Sequence, residues 1–141
     1  RRIDEYFKLL SVRNRLRHRF AELLVGYDAI IAPGFTTPAP LRGSTTQLSF
    51  GAVETAVYNV LDASIVTLPV TTVDADKDAW TPQQIAASKN KGMSSLVAAG
   101  YDAVNMHGLP VGVQIIAPRM CEERVLAVSK RVDDALKKER Q

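Results

Sequence analysis

Cysteine is almost absent from this sequence, and its scarcity limits how the fold can be held together. Cys121 is the single cysteine among 141 residues, so no disulfide can form within the chain and the fold depends on burial. No apolar run reaches the roughly 18–20 residues that a membrane-spanning helix needs. Hydrophobic residues make up 46% and charged residues 23%, which excludes a wholly disordered chain. The net charge of +3 does not by itself indicate a polyanionic partner.

An initiator methionine and a recognisable secretory signal are also lacking. The chain begins with Arg1, and the apolar pair Leu9-Leu10 is followed at once by polar and basic residues, unlike the apolar region of a signal peptide. The sequence therefore starts inside a helical pattern. We expect residues 1–141 to be an incomplete domain that belongs to a longer protein.

Metal-ligating patterns are missing. His18 lies among arginines and His107 lies in a loop, and neither has a His or Cys partner at ligand spacing. Asp74, Asp76 and Asp78 alternate as the first ligands of a calcium loop do, but the Gly and the distal Glu of such a loop do not follow. We interpret these aspartates as a solvated turn and predict neither a metal nor a cofactor.

Motifs for covalent catalysis are equally scarce. There is no G-x-S-x-G elbow and no phosphate-binding loop. Ser88 and Lys91 have the Ser-x-x-Lys spacing of acylating enzymes, but the companion motifs of those enzymes are absent. Cys121 precedes a predicted helix, whose dipole favours a thiolate, although a small residue filling a turn is the favoured interpretation. We assign no catalytic residue to this chain.

Positive charge is concentrated at the start of the chain, where residues 1–26 carry seven Lys or Arg against three acids. Apolar residues in this segment recur at steps of 3 or 4 and share one face of a helix. They are Leu9, Val12, Leu16, Phe20 and Leu23. The arginines form no single face and alternate with no stacking aromatics. A solvated helix packed on a core by its apolar face is therefore favoured, and no nucleic-acid partner is predicted.

Apolar periodicity predicts alternating helices and strands along the rest of the chain. Helices are predicted over 4–25, 50–61 and 122–138, with a weaker one near 82–90, and strands over 29–32, 65–73 and 109–116. A Ser- and Gly-rich loop is expected after the weak helix, and Pro69 predicts a bulge or one-sided pairing in its strand. Strands that are apolar almost throughout are covered on both faces. The predicted fold class is therefore α/β, a partial mixed β-sheet flanked by helices.

Three ordered blocks resemble the amidase-signature family of hydrolases. They are Asp28–Pro33 with Pro38–Pro40, Tyr58–Asp62 with Leu68–Val73, and Gly108–Ile116. The middle block is similar to the "YN-x-LD … PVTTV" stretch of fatty-acid amide hydrolases and fungal acetamidases, and the last is similar to the family's "GLPVGVQ" strand. Their order and spacing agree over roughly residues 15–135. The chain resembles the C-terminal third of such an enzyme.

The resemblance implies hydrolysis of amide or ester bonds through a serine acyl-enzyme. Family members use a Ser–Ser–Lys triad, in which the lysine activates the nucleophile through a bridging serine and backbone N–H groups hold the oxyanion. The stretch Gly92–Ser95 has the wrong neighbours for the Gly/Ser-rich signature and no partner lysine. The resemblance therefore implies that the triad lies in the N-terminal and central part of a complete amidase. That remaining part is the expected partner of this segment.

The resemblance also implies a substrate-binding role for the helix that precedes the "YN" pair. In fatty-acid amide hydrolases this helix lines the path of the acyl chain, which carries over to Ser49, Ala52 and Ala56. Alanine at the last two positions is smaller than the branched residues typical there, which favours a wider channel. Close packing of helix on sheet explains the alanines equally well. Ser64-Ile65 replaces the family's Pro-Ala, so the acyl preference, including fatty-acid amides, stays open.

Two functions remain open on this basis. The chain is either the C-terminal segment of an amidase that takes a small-molecule amide, or a truncated non-catalytic protein that binds a partner, with a homodimer as one form. The family resemblance leaves a cytoplasmic or a peripheral membrane location open. We also expect marginal stability alone, because part of a sheet buries less area while the backbone entropy cost stays at roughly 1–2 kcal/mol per residue.

Overall fold

A computed structural model describes residues 2–45, 49–89 and 92–139. In chain order its elements are α1 (Ile3–Leu23), β1 (Ile30–Pro33), a 3-10 helix (Ser49–Ala52), α2 (Val53–Leu61), β2 (Ser64–Thr72), α3 (Pro82–Ser88), α4 (Met93–Gly100), β3 (Pro110–Ala117) and α5 (Glu122–Glu139). The α/β class and a sheet accompanied by helices are therefore confirmed. No helix within these residues is long and apolar enough to cross a bilayer.

The three strands form one sheet in the order β1-β3-β2. The Val73 N–H donates to the Leu109 carbonyl and the Gly108 N–H donates to the Val73 carbonyl, both at 2.9 Å. The end of β2 thus meets the start of β3, which makes this pair antiparallel. The Gly34 N–H donates to the Gly112 carbonyl at 3.3 Å, next to β1. The described strands form an antiparallel sheet, so the mixed strand directions expected from the sequence do not occur among them.

Pro69 lies within β2, at the edge of this sheet. A proline has no N–H to donate, and an edge strand tolerates it because one side of the strand has no neighbour to pair with. The one-sided pairing predicted from the sequence therefore holds within the described sheet.

The prediction that the strands are covered on both faces is wrong for most of the described sheet: only the second half of β3, from Gln114 to Ala117, is fully buried. β1 and most of β2 are half-buried or exposed.

The chain divides into two compact units. The first contains Arg1–Ala32, Thr55–Leu68 and Gln114–Gln141, and the second contains Pro33–Glu54 and Pro69–Val113. The core of the first is centred on Ile115, Ala117 and Val125. The core of the second is centred on Val73, Ala103 and Met106. Each unit therefore has its own apolar cluster.

Of the two terminal helices, α5 agrees with its predicted role and α1 differs from it in one respect. Both are helical over nearly the predicted ranges, and α5 buries Val125 and Ser129. By contrast, α1 contains no buried residue. Its predicted inward-facing residues Leu9 and Leu16 are 57% and 45% exposed. The prediction that the apolar face of α1 packs on a core is therefore wrong for most of that face, although Phe20 is half-buried and its ring lies 6.1 Å from that of Tyr58.

A second correction concerns α4, which occupies a segment expected to be a loop. The helix follows Gly92, which has φ of 56° and offers no side-chain cap. Its sequence, Met-Ser-Ser-Leu-Val-Ala-Ala-Gly, is short and has no extended apolar stripe. Serine and glycine lower helix propensity, so the sequence favoured a loop here. The structure nonetheless packs this helix beside α3.

Candidate ligand-binding cavities

Two cavities lie within the second unit. The small cavity has a volume of about 460 Å³ and is lined by Pro33, Phe35, Thr36, Val53, Glu54, Trp80, Ser94 and Val97. The large cavity has a volume of about 620 Å³ and is lined by Thr36, Thr37, Pro38, Thr71, Val73, Lys77, Asp78, Ala79, Trp80, Thr81, Gln84, Val97, Tyr101 and Val111. Both volumes fall within the range of small-molecule sites.

Three residues line both cavities: Thr36, Trp80 and Val97. They lie on the loop after β1, just before α3, and on α4. Trp80 has the largest side chain of the three and is the single tryptophan of the chain. Trp80 therefore lines both the largely apolar small cavity and the hydroxyl-rich large cavity.

A buried glycine determines the position of two residues in the wall of the small cavity. Gly51 is buried, and a Cβ built on it would lie 2.5 Å from the ring of Phe35 and 2.5 Å from Thr36 Oγ1. Real Cβ atoms do not approach other atoms so closely, so the absence of a side chain lets the 3-10 helix sit directly against these two residues. Phe35 and Thr36 are thereby held at the cavity surface.

In the large cavity, an aromatic pair is fixed by one hydrogen bond. The rings of Trp80 and Tyr101 lie 5.6 Å apart between centroids at an angle of 36°. The Tyr101 hydroxyl donates to the Asp78 carbonyl at 2.9 Å. Burial raises the pKa of the Tyr101 phenol, and the negative charge of Asp78 raises it further. The phenol is therefore a neutral hydrogen-bond donor at physiological pH.

The start of α3 supplies a rigid polar wall to the same cavity. Thr81 Oγ1 accepts a hydrogen bond from the Gln84 N–H at 3.3 Å, and Gln84 Oε1 accepts one from the Thr81 N–H at 2.8 Å. These bonds form a capping box, with Pro82 at the first helical position. The carboxamide of Gln84 is therefore held through its oxygen, which leaves its NH₂ group as a donor toward a ligand.

Charges in the large cavity are balanced by neighbouring groups. Lys77 Nζ lies 3.1 Å from Asp74 Oδ2, and the Asp74 N–H donates to Asp78 Oδ2 at 2.8 Å. The hydrogen bond from Lys77 lowers the pKa of Asp74, with help from the N–H groups of Asp76 and Lys77. The predicted solvated turn is confirmed, and it contributes one cation and one anion to the cavity wall. In the same wall, the hydroxyl oxygen of Thr37 is buried and has no hydrogen-bond partner among the described residues.

The first unit holds a polar cluster at the end of α2. Asp62 has φ of 58°, and its Oδ2 lies 2.9 Å from Arg17 Nη2 and 2.7 Å from Arg119 Nε. Asp tolerates this left-handed conformation better than most residues. The carboxylate therefore links α1 to the segment before α5. Because the pairs are partly exposed, their role is attachment and not chemistry.

The residues singled out for nucleophilic chemistry have structural roles. The Cys121 N–H donates to Ser64 Oγ at 3.1 Å, and the Cys121 thiol packs beside the core of the first unit, as expected for a small turn residue. The Ser88 hydroxyl donates to the Ile85 carbonyl at 2.8 Å within its own helix, and Lys91 lies outside the described residues. No group of three or more metal-ligating side chains occurs in the part of the chain that is described.

The predicted substrate-binding residues lie near the small cavity in sequence but are not in its described lining. Ser49 begins the 3-10 helix, and its side chain is outside those described. Ala52 ends that helix and Ala56 lies in α2, both exposed. The cavity is lined instead by Val53 and Glu54. The role of the three residues remains a prediction.

Sequence reasoning missed Trp80, which lines both cavities. It lies between the acidic turn and α3, in a stretch where apolar periodicity is weak. The usable signal was composition, since a lone tryptophan in a chain of only 6% aromatic residues usually anchors a core or a site. Its two cavities become visible only when distant segments are brought together.

Comparison with known proteins identifies the family. The model of the amidase family, described as "Amidase", matches residues 2–126. The acetamidase of Aspergillus oryzae is 38% identical over 109 residues, covering 77% of this chain and 19% of that protein. The acetamidase of Emericella nidulans is 36% identical over the same coverage. Fatty acid amide hydrolase 1 of Caenorhabditis elegans is 29% identical over 123 residues, covering 85% of this chain and 21% of that protein.

A solved structure agrees with this assignment. A fatty acid amide hydrolase superposes with a TM-score of 0.81 and 26% identity, covering 96% of this chain and 24% of that chain. The chain thus spans about a fifth to a quarter of the length of the relatives it matches. Family match, sequence identity and fold all point the same way, and the chain belongs to the amidase family.

Proposed function

We propose that this chain is the C-terminal segment of an amidase-signature serine hydrolase that cleaves carboxylic amide or ester bonds, with fatty or aryl acyl groups as substrates. The observation that carries the proposal is the small cavity, lined largely by apolar groups, within a chain of the amidase family. The Ser–Ser–Lys triad is supplied by polypeptide outside these 141 residues. The segment contributes binding surface and not the reacting groups.

The lining of the small cavity suits an acyl chain. Phe35, Val53 and Val97 present apolar side chains to it, and Trp80 closes one side. Burial of each methylene group contributes about 0.8 kcal/mol, so a chain of several carbons gains useful binding energy there. In a serine hydrolase such remote binding holds the scissile carbonyl at the nucleophile, where orientation raises the rate.

Ser49, Ala52 and Ala56 are proposed, from the family resemblance, as substrate-binding residues in addition to this lining. Ala52 and Ala56 are exposed and small, so they leave room for an acyl group that the rest of the enzyme covers. Replacing Ala56 by Leu is expected to shorten the longest acyl chain that is accepted. A loss of stability without any change of chain-length preference would assign the alanines to packing instead.

The experiment begins with the intact mass of the natural gene product, compared with the 15.4 kDa of this chain. The intact product is then assayed on acetamide and octanamide. We expect Ser94→Phe, which narrows the small cavity, to lower kcat/KM for octanamide at least tenfold and to change that for acetamide less than about threefold. Arg131→Ala, on the exposed side of α5, is the matched control and leaves both unchanged.

The proposal fails if the intact product has a mass of 15.4 kDa and hydrolyses nothing, or if Ser94→Phe affects both amides equally. The first outcome favours the second function, a non-catalytic protein that binds a partner. Its support is the uncovered apolar face of α1, since exposed apolar patches mark interaction surfaces. A measured complex between the 15.4 kDa chain and itself or another protein distinguishes this function from the first.

A further inference from the structure

The large cavity and the small cavity differ in chemistry, although one indole bounds both. The wall of the large cavity carries the hydroxyl groups of Thr36, Thr71, Thr81 and Tyr101. The hydroxyls of Thr81 and Tyr101 are hydrogen-bonded within the protein, but the buried hydroxyl oxygen of Thr37 in the same wall has no partner among the described residues, and a hydrocarbon chain would leave it unsatisfied. A purely aliphatic group therefore suits the small cavity better than the large one.

The large cavity offers flat aromatic surface in a defined arrangement. Trp80 and Tyr101 present two rings whose planes differ by only 36°, and the bond from the Tyr101 hydroxyl to Asp78 fixes one of them. Aromatic groups gain affinity beyond area burial when they stack in offset or edge-to-face geometry. A planar ring system is the ligand shape that uses this surface best.

The polar groups around the rings favour a neutral ligand. Lys77 is already paired with Asp74, and Asp78 adds a negative charge to the lining, so an anionic ligand is disfavoured relative to a neutral one. The NH₂ group of Gln84 is a donor and the threonine hydroxyls both donate and accept. A carboxamide matches this set, since it carries one acceptor oxygen and a donor nitrogen.

We infer that the large cavity, which shares Trp80 with the small cavity, is a second ligand site that binds a neutral planar aromatic carboxamide. The choice of a carboxamide rests on the proposed amide chemistry, whereas the preference for a flat neutral ring rests on the cavity itself. The site is tested by binding, without turnover. Its failure can therefore be told apart from failure of the hydrolase proposal, which is tested by hydrolysis.

The indole of Trp80 makes the test direct. In the nitrogen-15-labelled intact gene product, the Trp80 indole N–H resonance is identified as the one that Trp80→Phe removes, and we titrate this protein with biphenyl-4-carboxamide and, separately, with octanamide, recording spectra before any turnover. We expect saturable movement of the indole resonance with both amides, because Trp80 borders both cavities. A resonance that biphenyl-4-carboxamide does not move overturns the inference.

Two matched variants locate each ligand. Thr71 is exposed on β2 and lines only the large cavity, whereas Ser94 is exposed on α4 and lines only the small one. We expect Thr71→Phe to weaken biphenyl-4-carboxamide about tenfold or more and to leave octanamide within about twofold, with the reverse for Ser94→Phe. If Ser94→Phe weakens the aromatic amide as much as Thr71→Phe does, the ligand occupies the small cavity and the inference is wrong.

A milder variant keeps the test decisive if Thr71→Phe loses its dispersed spectrum. Gln84→Ala removes the proposed donor at an exposed position, and we expect a threefold to tenfold loss of affinity for biphenyl-4-carboxamide, about one hydrogen bond. Biphenyl-4-carboxylate serves as the charged comparison and should bind more weakly. Equal binding of acid and amide, or full affinity in Gln84→Ala, overturns the inference.

Discussion

The terminal helices α1 and α5 belong to the same unit and share an amphipathic pattern, yet they end in different environments. In α5, Val125 and Ser129 are 2% and 3% exposed, against the core that contains Ile115. In α1 no residue is buried, and Leu9 is 57% exposed. An apolar stripe therefore predicts a helix and its preferred face, while the covering partner has to be present for burial to occur.

The largest expected effect comes from placing a charge on the buried face of α5. Val125→Asp puts a carboxylate into a site that is 2% exposed, and we expect it to lower the free energy of unfolding by about 4 kcal/mol or more. Leu16→Asp on α1 is the matched change, and it should cost less than about 1 kcal/mol. Urea denaturation measures both. Equal losses of unfolding free energy in the two variants would show that α1 is buried in solution and that the two helices do not differ in environment.

The next effect concerns association through the apolar face of α1. Leu9→Glu combined with Leu16→Glu adds charge to this face, so we expect any self-association of the chain to weaken at least tenfold, about 1.4 kcal/mol, as measured by sedimentation velocity. Leu126 on α5 is 58% exposed, close to the 57% of Leu9, so Leu126→Glu is the control and should change association little. Association that survives the double substitution would exclude the α1 face as its cause.

A smaller effect is expected at the ion pairs that attach α1. Asp62→Asn keeps a side chain that tolerates positive φ but removes the charge shared by Arg17 and Arg119. Because the partners are partly exposed, the loss should be about 1 kcal/mol or less, with faster amide exchange in α1 and unchanged exchange in α5. Asp28→Asn, at an exposed position, is the control. Faster exchange in both helices would contradict attachment by this carboxylate.

The smallest effect is a pH dependence of α5. A hydrogen bond from Lys130 lowers the pKa of Asp134 below 3.8, with further contributions from Lys130, Lys137 and Lys138. A carboxylate whose pKa is lowered by folding contributes its full stabilisation at pH values above its pKa in the unfolded state. That contribution is lost as the pH falls through its pKa in the folded state. Asp134→Asn should therefore lower the thermal midpoint slightly near pH 6, and the difference should disappear as the pH falls through the folded pKa of Asp134. A difference that persists in acid would refute the pairing.

Much of the secondary structure could be predicted from the sequence. The boundaries of β1, β2, β3 and α5 were predicted to within about two residues. Pro and Gly lie next to β1 and β3, β2 is rich in β-branched residues, and acidic and basic residues mark the two ends of α5. The exception was α4, whose composition favours a loop. The local sequence determines most of the helices and strands. Where the local signal is weak, as in α4, tertiary packing determines whether the helix forms.

The cavities were much less predictable. The large cavity combines side chains from the loop after β1, from β2, from the acidic turn, from α3 and α4, and from β3. Their convergence depends on contacts between residues far apart in the chain, which periodicity does not encode. The family resemblance indicated the region around α2, whereas the residues that meet there, Phe35 and Trp80 among them, come from other segments.

The presence of Trp80 in the lining of both cavities has a thermodynamic consequence. If a ligand in one cavity rotates or shifts Trp80, the space in the other cavity changes with it, so occupancy of the two cavities is linked. Linkage is reciprocal: the factor by which an aliphatic amide changes the affinity for an aromatic one equals the factor in the opposite direction. Replacing Trp80 with a small residue would abolish this coupling, whereas a rigid indole would make the two sites independent.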